Sequence, residues 1–377
     1  MKNILIIAAE NSAENYGIQI IDEFQKRSPG VNFFGVGGDK FLARGVDVIV
    51  HNRELSIVGI IEVISSLIKL KRYMTRLIKA VIQRKAVAVL LIDYPDFNIR
   101  LAKKIKSIGI PVYYYISPTI WAWRYSRVKL LKKYVHHMFI IFPFEIPIFE
   151  KENIPFSYTG HPLMSIVKVD ESKKNFKNRK KINDSNLVIS LLPGSRKSEV
   201  VSLLPRMLKA MAFLAKEFPI TLFLLKAVNI DKELIAEFIK DSPVKIELIE
   251  QKEGYNLINA SDAILTTCGT SNLEIAILGV PFVAVYRVNS LSYLLGKKFV
   301  KINLYSIVNI LSGKEVIREL IQHTYKVQNI IQEMRRIISD QEVRKTMLKE
   351  FQDLQTKLTK GKNPQEIIYQ KIKEDIL

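Results

Sequence analysis

The chain carries one cysteine, Cys268, in 377 residues. An internal disulfide framework is therefore excluded, and cysteine usage gives no pointer to secretion. No apolar run reaches the ~18 uninterrupted residues of a membrane-spanning helix. The opening MKNILIIAAENSAENYG has the look of a leader, but its apolar run is short and Glu10 and Glu14 follow at once, so a first buried strand fits better. No GK[ST] ending marks a Walker loop. His136-His137 has no companion ligands at metal spacing, so a zinc site is rejected, and no cofactor is expected. A compact basic stripe or an aromatic stacking motif of the nucleic-acid type is also missing. These absences leave a soluble or surface-bound cytoplasmic protein.

What is present is a globular balance, 48% hydrophobic and 25% charged, in a chain long enough for two domains at ~100–200 residues each. The net charge of +20 fits an anionic partner, such as an acidic leaflet or phosphorylated substrates, or simply lysine-rich solvated faces.

Short apolar runs alternate with helical spacing from the start. Strands are expected at 2–8, 31–36, 86–92, 111–116, 138–141 and 156–159, with helices at 14–27, 99–108 and 124–133. Continuous runs such as AVAVLLI fit a parallel sheet covered on both faces. The stretch 167–186, VKVDESKKNFKNRKKINDSN, is strongly charged and reads as a linker. Alternation then restarts, with strands at 187–192, 220–225, 244–249, 263–267 and 282–286 and helices near 197–216, 231–240, 254–260 and 271–278. From 313 onward the pattern is helical, with no strand expected. The division is an N-terminal domain over 1–166, a linker over 167–186, a second domain over 187–312 and a helical tail over 313–377. The fold class is α/β, with two Rossmann-like halves whose ligands bind beyond the carboxyl ends of the strands.

Three strand-to-helix loops carry chemistry. In the first, Pro193-Gly194-Ser195-Arg196, glycine allows close backbone approach, the helix N-terminus offers N–H groups to a phosphate, and Arg196 adds a forked cation. An ordinary turn capped by Ser195 is the plainer alternative. In the second, Cys268-Gly269-Thr270-Ser271-Asn272-Leu273-Glu274, small polar residues again open a helix. Glu274 could accept ribose hydroxyls or merely favour the helix dipole. Cys268, with no base evident nearby, reads as a small buried side chain. In the third, Asp93 ends the AVAVLLI strand, where a carboxylate could take the proton of an attacking sugar hydroxyl or cap its own loop. Asp96, after Pro95, reads as a helix-start acid.

Ser117–Arg124 holds both tryptophans, Trp121 and Trp123, placed for acyl chains, a sugar or plain packing. His161 lies where the first half ends and reads as a core histidine. Residues 57–70, IVGIIEVISSLIKL, present Ile61, Ile64, Leu67 and Ile68 on one stripe beside Lys71 and Arg72. Such a stripe suits a membrane surface, and also a buried core face.

Taken together, VGIIEVI, IDYPDFN, YYISPTIWAWR, FPFE, YTGHPL, LLPGSR, CGTSNLE and NILSGKEVIRELIQ resemble the bacterial lipid-A-disaccharide synthases, inverting metal-independent glycosyltransferases of the GT-B type. The resemblance implies two Rossmann-like domains facing a cleft and transfer of 2,3-diacylglucosamine from its UDP conjugate to the 6-hydroxyl of 2,3-diacylglucosamine 1-phosphate. By motif, Asp93 corresponds to the general base. Gly194, Ser195, Arg196, Cys268, Gly269, Thr270 and Glu274 correspond to the UDP-sugar site, and Glu10, Ser12, Trp123 and Asn309 to the cleft. The resemblance also implies membrane contact through the 61–68 stripe at the inner face of the cytoplasmic membrane, and a homodimer through the tail helices. Where the family reads GETSGD, this chain has Ala9-Glu10-Asn11-Ser12-Ala13-Glu14. Alanine is strained at positive φ, so a loop of altered shape is expected. Val308 stands where the family has proline.

The competing classes are another GT-B nucleotide-sugar enzyme, including a UDP-sugar epimerase, a non-catalytic paralogue, and a nucleic-acid binder resting on charge alone.

Overall fold

A computed structural model describes residues 2–56, 63–121, 125–287, 304–359 and 363–376, without the side chains of residues 56 and 63–67. Two compact units divide the chain: Met1–Pro162 with Leu358–Leu377, and Leu163–Lys357.

The first unit is built on a seven-stranded, wholly parallel sheet. Its strands are β1 (Lys2–Ala8), β2 (Val31–Gly37), β3 (Asp47–His51), β4 (Ala88–Ile92), β5 (Val112–Tyr115), β6 (His137–Ile140) and β7 (Phe156–Tyr158), in the order β3-β2-β1-β4-β5-β6-β7. The apolar runs that lack period-two alternation are covered on both faces: Ile4–Ala8 and Ala88–Ile92 are fully buried. Full burial of each such side chain contributes roughly 1.5–3 kcal/mol. The strand β3 escapes the periodicity because it is short and lies at the sheet edge, where only Val50 is buried.

The C-terminal helix Pro364–Ile376 completes this unit. Its Tyr369 ring meets Phe24 edge-on at 4.9 Å, and the Tyr369 hydroxyl and Ser28 Oγ lie 2.9 Å apart. Tyr113 Oη donates to Asp375 at 2.8 Å, and His136 Nε2 lies 3.2 Å from the same carboxylate.

The second unit carries a six-stranded parallel sheet: β8 (Leu187–Leu192), β9 (Ile220–Lys226), β10 (Ile246–Glu250), β11 (Ala263–Thr267), β12 (Phe282–Tyr286) and β13 (Glu319–Ile321), ordered β10-β9-β8-β11-β12-β13. The strand β13 corrects the expectation of a strandless tail. Its three residues pair with β12 from Ala284↔Glu319 to Tyr286↔Ile321, a long-range contact that a charged local sequence hides. The stretch 167–186 carries a helix, Lys173–Arg179, capped by the Ser172 side chain. Its Phe176 is fully buried and meets Phe223 at 5.7 Å. Phe176, with the Lys173–Asp262 and Lys180–Glu247 ion pairs, docks that segment.

In both sheets the strand order reverses once, between β1 and β4 and between β8 and β11. Loops leaving the carboxyl ends at such a reversal diverge and open a crevice. Glu10 and Asp93 leave the first reversal, and Gly194–Arg196 and Cys268–Thr270 leave the second.

Candidate active site

In the first unit, Asp93 follows β4 with φ +50°, Tyr94 follows with φ +49°, and Ile116, just past β5, has φ +67°. Left-handed backbone is uncommon outside glycine and strained for a β-branched residue such as isoleucine. The surroundings hold it in place. Asp93 N–H donates to Tyr115 O at 2.9 Å, and Ile116 N–H to Phe139 O at 3.0 Å. The Asp93 carbonyl accepts Asn98 Nδ2 at 2.6 Å and Tyr114 Oη at 2.7 Å. Burial, helped by the charge of Glu10, pushes the Asp93 carboxyl up to about 6. It is ionised at neutral pH, yet far more basic than an ordinary aspartate.

Neither Ala9 nor Ala13 takes a positive φ. Glu10 is extended, Ser12 and Ala13 lie in the first turn of the helix Asn11–Arg27, and both alanines are buried. Glu14 is buried too. Its Oε1 accepts the N–H groups of Gly38 at 2.8 Å and Phe41 at 3.0 Å, so this acid ties β1's crossover to the turn after β2.

Asp96 pairs with the buried Arg127 at the start of the helix Pro95–Lys106, the structural place that its position after Pro95 predicts. Trp121 meets Phe144 edge-on at 5.0 Å, and Phe142 stacks on Phe144 at 5.3 Å. Beneath them Glu145 is almost fully buried and accepts Phe142 N–H at 3.1 Å. Burial pushes its carboxyl up to about 8, so it is largely protonated at neutral pH. His161 packs on Phe142, and burial pushes its imidazole down to about 3. Trp123 and Ile61 lie outside the described residues, as do the side chains of Ile64 and Leu67. Ile68 is 68% exposed on the helix Val63–Gln83, so it is not part of a core face.

In the second unit, Gly194 has φ +120°, which only glycine adopts readily. The helix Lys197–Leu214 follows, and the two loop amides just before it are not open. Glu199 Oε2 accepts Ser195 N–H at 3.1 Å and Arg196 N–H at 3.2 Å, while Oε1 pairs with Arg196 Nη1 at 3.2 Å. A carboxylate of the chain thus sits where an anion is expected, a device that a motif search for glycine and arginine does not reveal.

Cys268, Gly269 and Thr270 leave the neighbouring β11. Cys268 N–H donates to Val285 O at 3.0 Å, and burial pushes its thiol up, away from nucleophilic use. Asn272 Nδ2 braces the turn through Thr267 O at 2.8 Å. Thr267 Oγ1 and Asn272 Oδ1 are buried there without hydrogen-bond partners, an arrangement that calls for a bound polar group or water. Glu274, one turn in, accepts Tyr255 Oη at 2.8 Å.

Asn309 is fully buried. Its Oδ1 accepts Val316 N–H at 2.8 Å and Ile317 N–H at 3.0 Å, and its Nδ2 donates to Ile317 O and Glu319. It braces β13 from behind. Val308 N–H goes to the capping Ser306 Oγ at 3.3 Å, a bond proline could not make. Glu319, whose charge reaches Cys268, belongs to the strand that the periodicity missed.

Two doubly wound parallel sheets, with an acid at one reversal and two small-residue loops, one bearing Arg196, at the other, define a nucleotide-sugar enzyme of the GT-B class. Solved structures share the fold: a UDP-GlcNAc 2-epimerase from Neisseria meningitidis bound to UDP-GlcNAc matches with TM-score 0.66 at 15% identity, over 99% of this chain and 100% of that one. The glycotransferase of kitacinnamycin matches with TM-score 0.65 at 12% identity, over 100% and 99%. Sequence narrows the class. The family model described as lipid-A-disaccharide synthetase matches residues 4–372. The lipid-A-disaccharide synthase of Syntrophus aciditrophicus is 37% identical over 95% of this chain and 94% of its own. That of Trichlorobacter lovleyi is 35% identical over 90% and 89%. The chain belongs to the lipid-A-disaccharide synthetase family, and its activity is the hexosyl transfer of lipid A disaccharide synthesis.

Proposed function

We propose that the enzyme joins 2,3-diacylglucosamine, delivered as its UDP conjugate, to the 6-hydroxyl of 2,3-diacylglucosamine 1-phosphate, giving a β-1′,6-linked disaccharide 1-phosphate and UDP. Asp93 is the base. It takes the proton of the acceptor 6-hydroxyl as that oxygen bonds to the anomeric carbon and the bond to UDP breaks, with inversion. The observation that carries this reading is the Asp93 carboxyl itself, on strained backbone beside the reversal and held near 6. In the second unit, Gly194, Ser195 and Arg196 receive the diphosphate, which takes the place of the Glu199 carboxylate at their amides, the Cys268–Thr270 loop lines the same UDP site, and Glu274 takes the ribose. Glu10 and Ser12 flank the acceptor. Asp93→Ala tests the assignment: turnover is lost while UDP still binds, and full activity in that variant removes Asp93 from the role.

Among the described residues no helix is long and apolar enough to cross a membrane. Attachment to the inner face of the cytoplasmic membrane is supported by the helix Val63–Gln83, where exposed Ile68 adjoins Lys71, Arg72, Arg76 and Lys79. Acidic vesicles should sediment the wild-type protein, and charge reversal at Lys71 and Arg72 should release it. A homodimer through the tail helices is supported by the family resemblance. Light scattering at twice the monomer mass checks it.

A further inference from the structure

In a βαβ sheet each crossover helix starts where its strand ends, so the first turns of successive helices share the carboxyl edge. The helix Gly254–Ala260 follows β10, and the helix Ser271–Ile277 follows β11. Tyr255 is the second residue of the first, and Glu274 the fourth of the second. The phenol spans the gap, with Oη donating to Glu274 Oε1 at 2.8 Å.

A carboxylate can only accept hydrogen bonds while ionised, and one already engaged oxygen fixes the direction of the other. The side chain of Glu274 is also partly buried, which works against its charge and raises its pKa. The Tyr255 hydrogen bond opposes that rise. Without the phenol, Glu274 would be free to rotate and to protonate, and a protonated carboxyl no longer offers two acceptors to a sugar diol.

We propose that Tyr255 is a positioning residue for the nucleotide: it holds Glu274 Oε1 so that Oε2 faces the ribose hydroxyls of UDP. The inference rests on the assignment of Glu274 to the ribose. It adds a residue from a helix that carries no arginine and no acid.

The test is a cycle between protein and ligand, read by calorimetry. UDP and 2′,3′-dideoxy-UDP are titrated into wild type, Tyr255→Phe and Glu274→Gln. Tyr255→Phe leaves Glu274 unoriented, and UDP binds about tenfold more weakly, ~1.4 kcal/mol. The same variant binds the dideoxy ligand as wild type does, because that ligand has no hydroxyl for Glu274 to orient. Equal weakening of both ligands would mark Tyr255 as structural and overturn the proposal, as would unchanged UDP affinity. If Glu274→Gln itself leaves UDP affinity intact, the ribose assignment falls and this inference with it. A loss in Glu274→Gln without one in Tyr255→Phe sinks the inference alone. The Tyr255→Phe ring keeps its shape, and an unchanged circular dichroism spectrum at the assay temperature confirms the fold.

Discussion

A β-carbon on Gly194 would lie 2.3 Å from Oε2 of Glu199. The glycine and the acid are therefore one device: the loop closes on the carboxylate only because position 194 has no side chain. Gly194→Ala meets that clash and the cost of φ +120° together. A stability loss of about 1–3 kcal/mol is expected, with weaker UDP binding because the Ser195 and Arg196 amides are displaced. Chemical denaturation and UDP titration read the two effects.

Asp93 costs stability while it serves catalysis. Its folded pKa of about 6 lies above the ordinary 3.8. The native state is thus favoured by protonation, fully below about pH 4, and loses that advantage as pH rises through 6. Asp93→Asn removes the buried charge. It should raise stability above pH 6, by about 3 kcal/mol at most, and the gain should vanish near pH 4. Turnover should fall by about 10²–10⁴. Melting curves across pH, beside rate measurements, check the opposed signs.

The acid limb of kcat/KM should fall near pH 6, where Asp93 protonates. Burial is the main cause of that value and the Glu10 charge the second. Glu10→Gln should move the limb to lower pH without bringing it to the ordinary carboxylate range. A limb that stays in place would separate Glu10 from Asp93.

Asn309 spends its amide on β13. Asn309→Ala leaves the Val316 and Ile317 amides and Glu319 without that partner. A loss of about 1–3 kcal/mol is expected from the urea midpoint.

Both sheets were legible because parallel strands buried on two faces leave continuous apolar runs: AVAVLLI announced β4, and Leu187–Leu192 announced β8. The strands β3 and β13 were not. The three residues of β13 sit in a charged stretch and exist through pairing with β12. The loops Pro193–Arg196 and Cys268–Glu274 were visible as small residues at strand ends. Their fillers were not, since Glu199 and Tyr255 reach them by side-chain geometry. The alanines at 9 and 13 fit because the residues there run extended and then helical, with no left-handed step.

The most direct measurement of the central claim uses purified protein, labelled UDP-2,3-diacylglucosamine and 2,3-diacylglucosamine 1-phosphate, without added metal. Wild type should release UDP and form one disaccharide 1-phosphate in equal amounts, and Asp93→Asn should form almost none. UDP release without disaccharide, or no product at saturating substrates, would contradict the account.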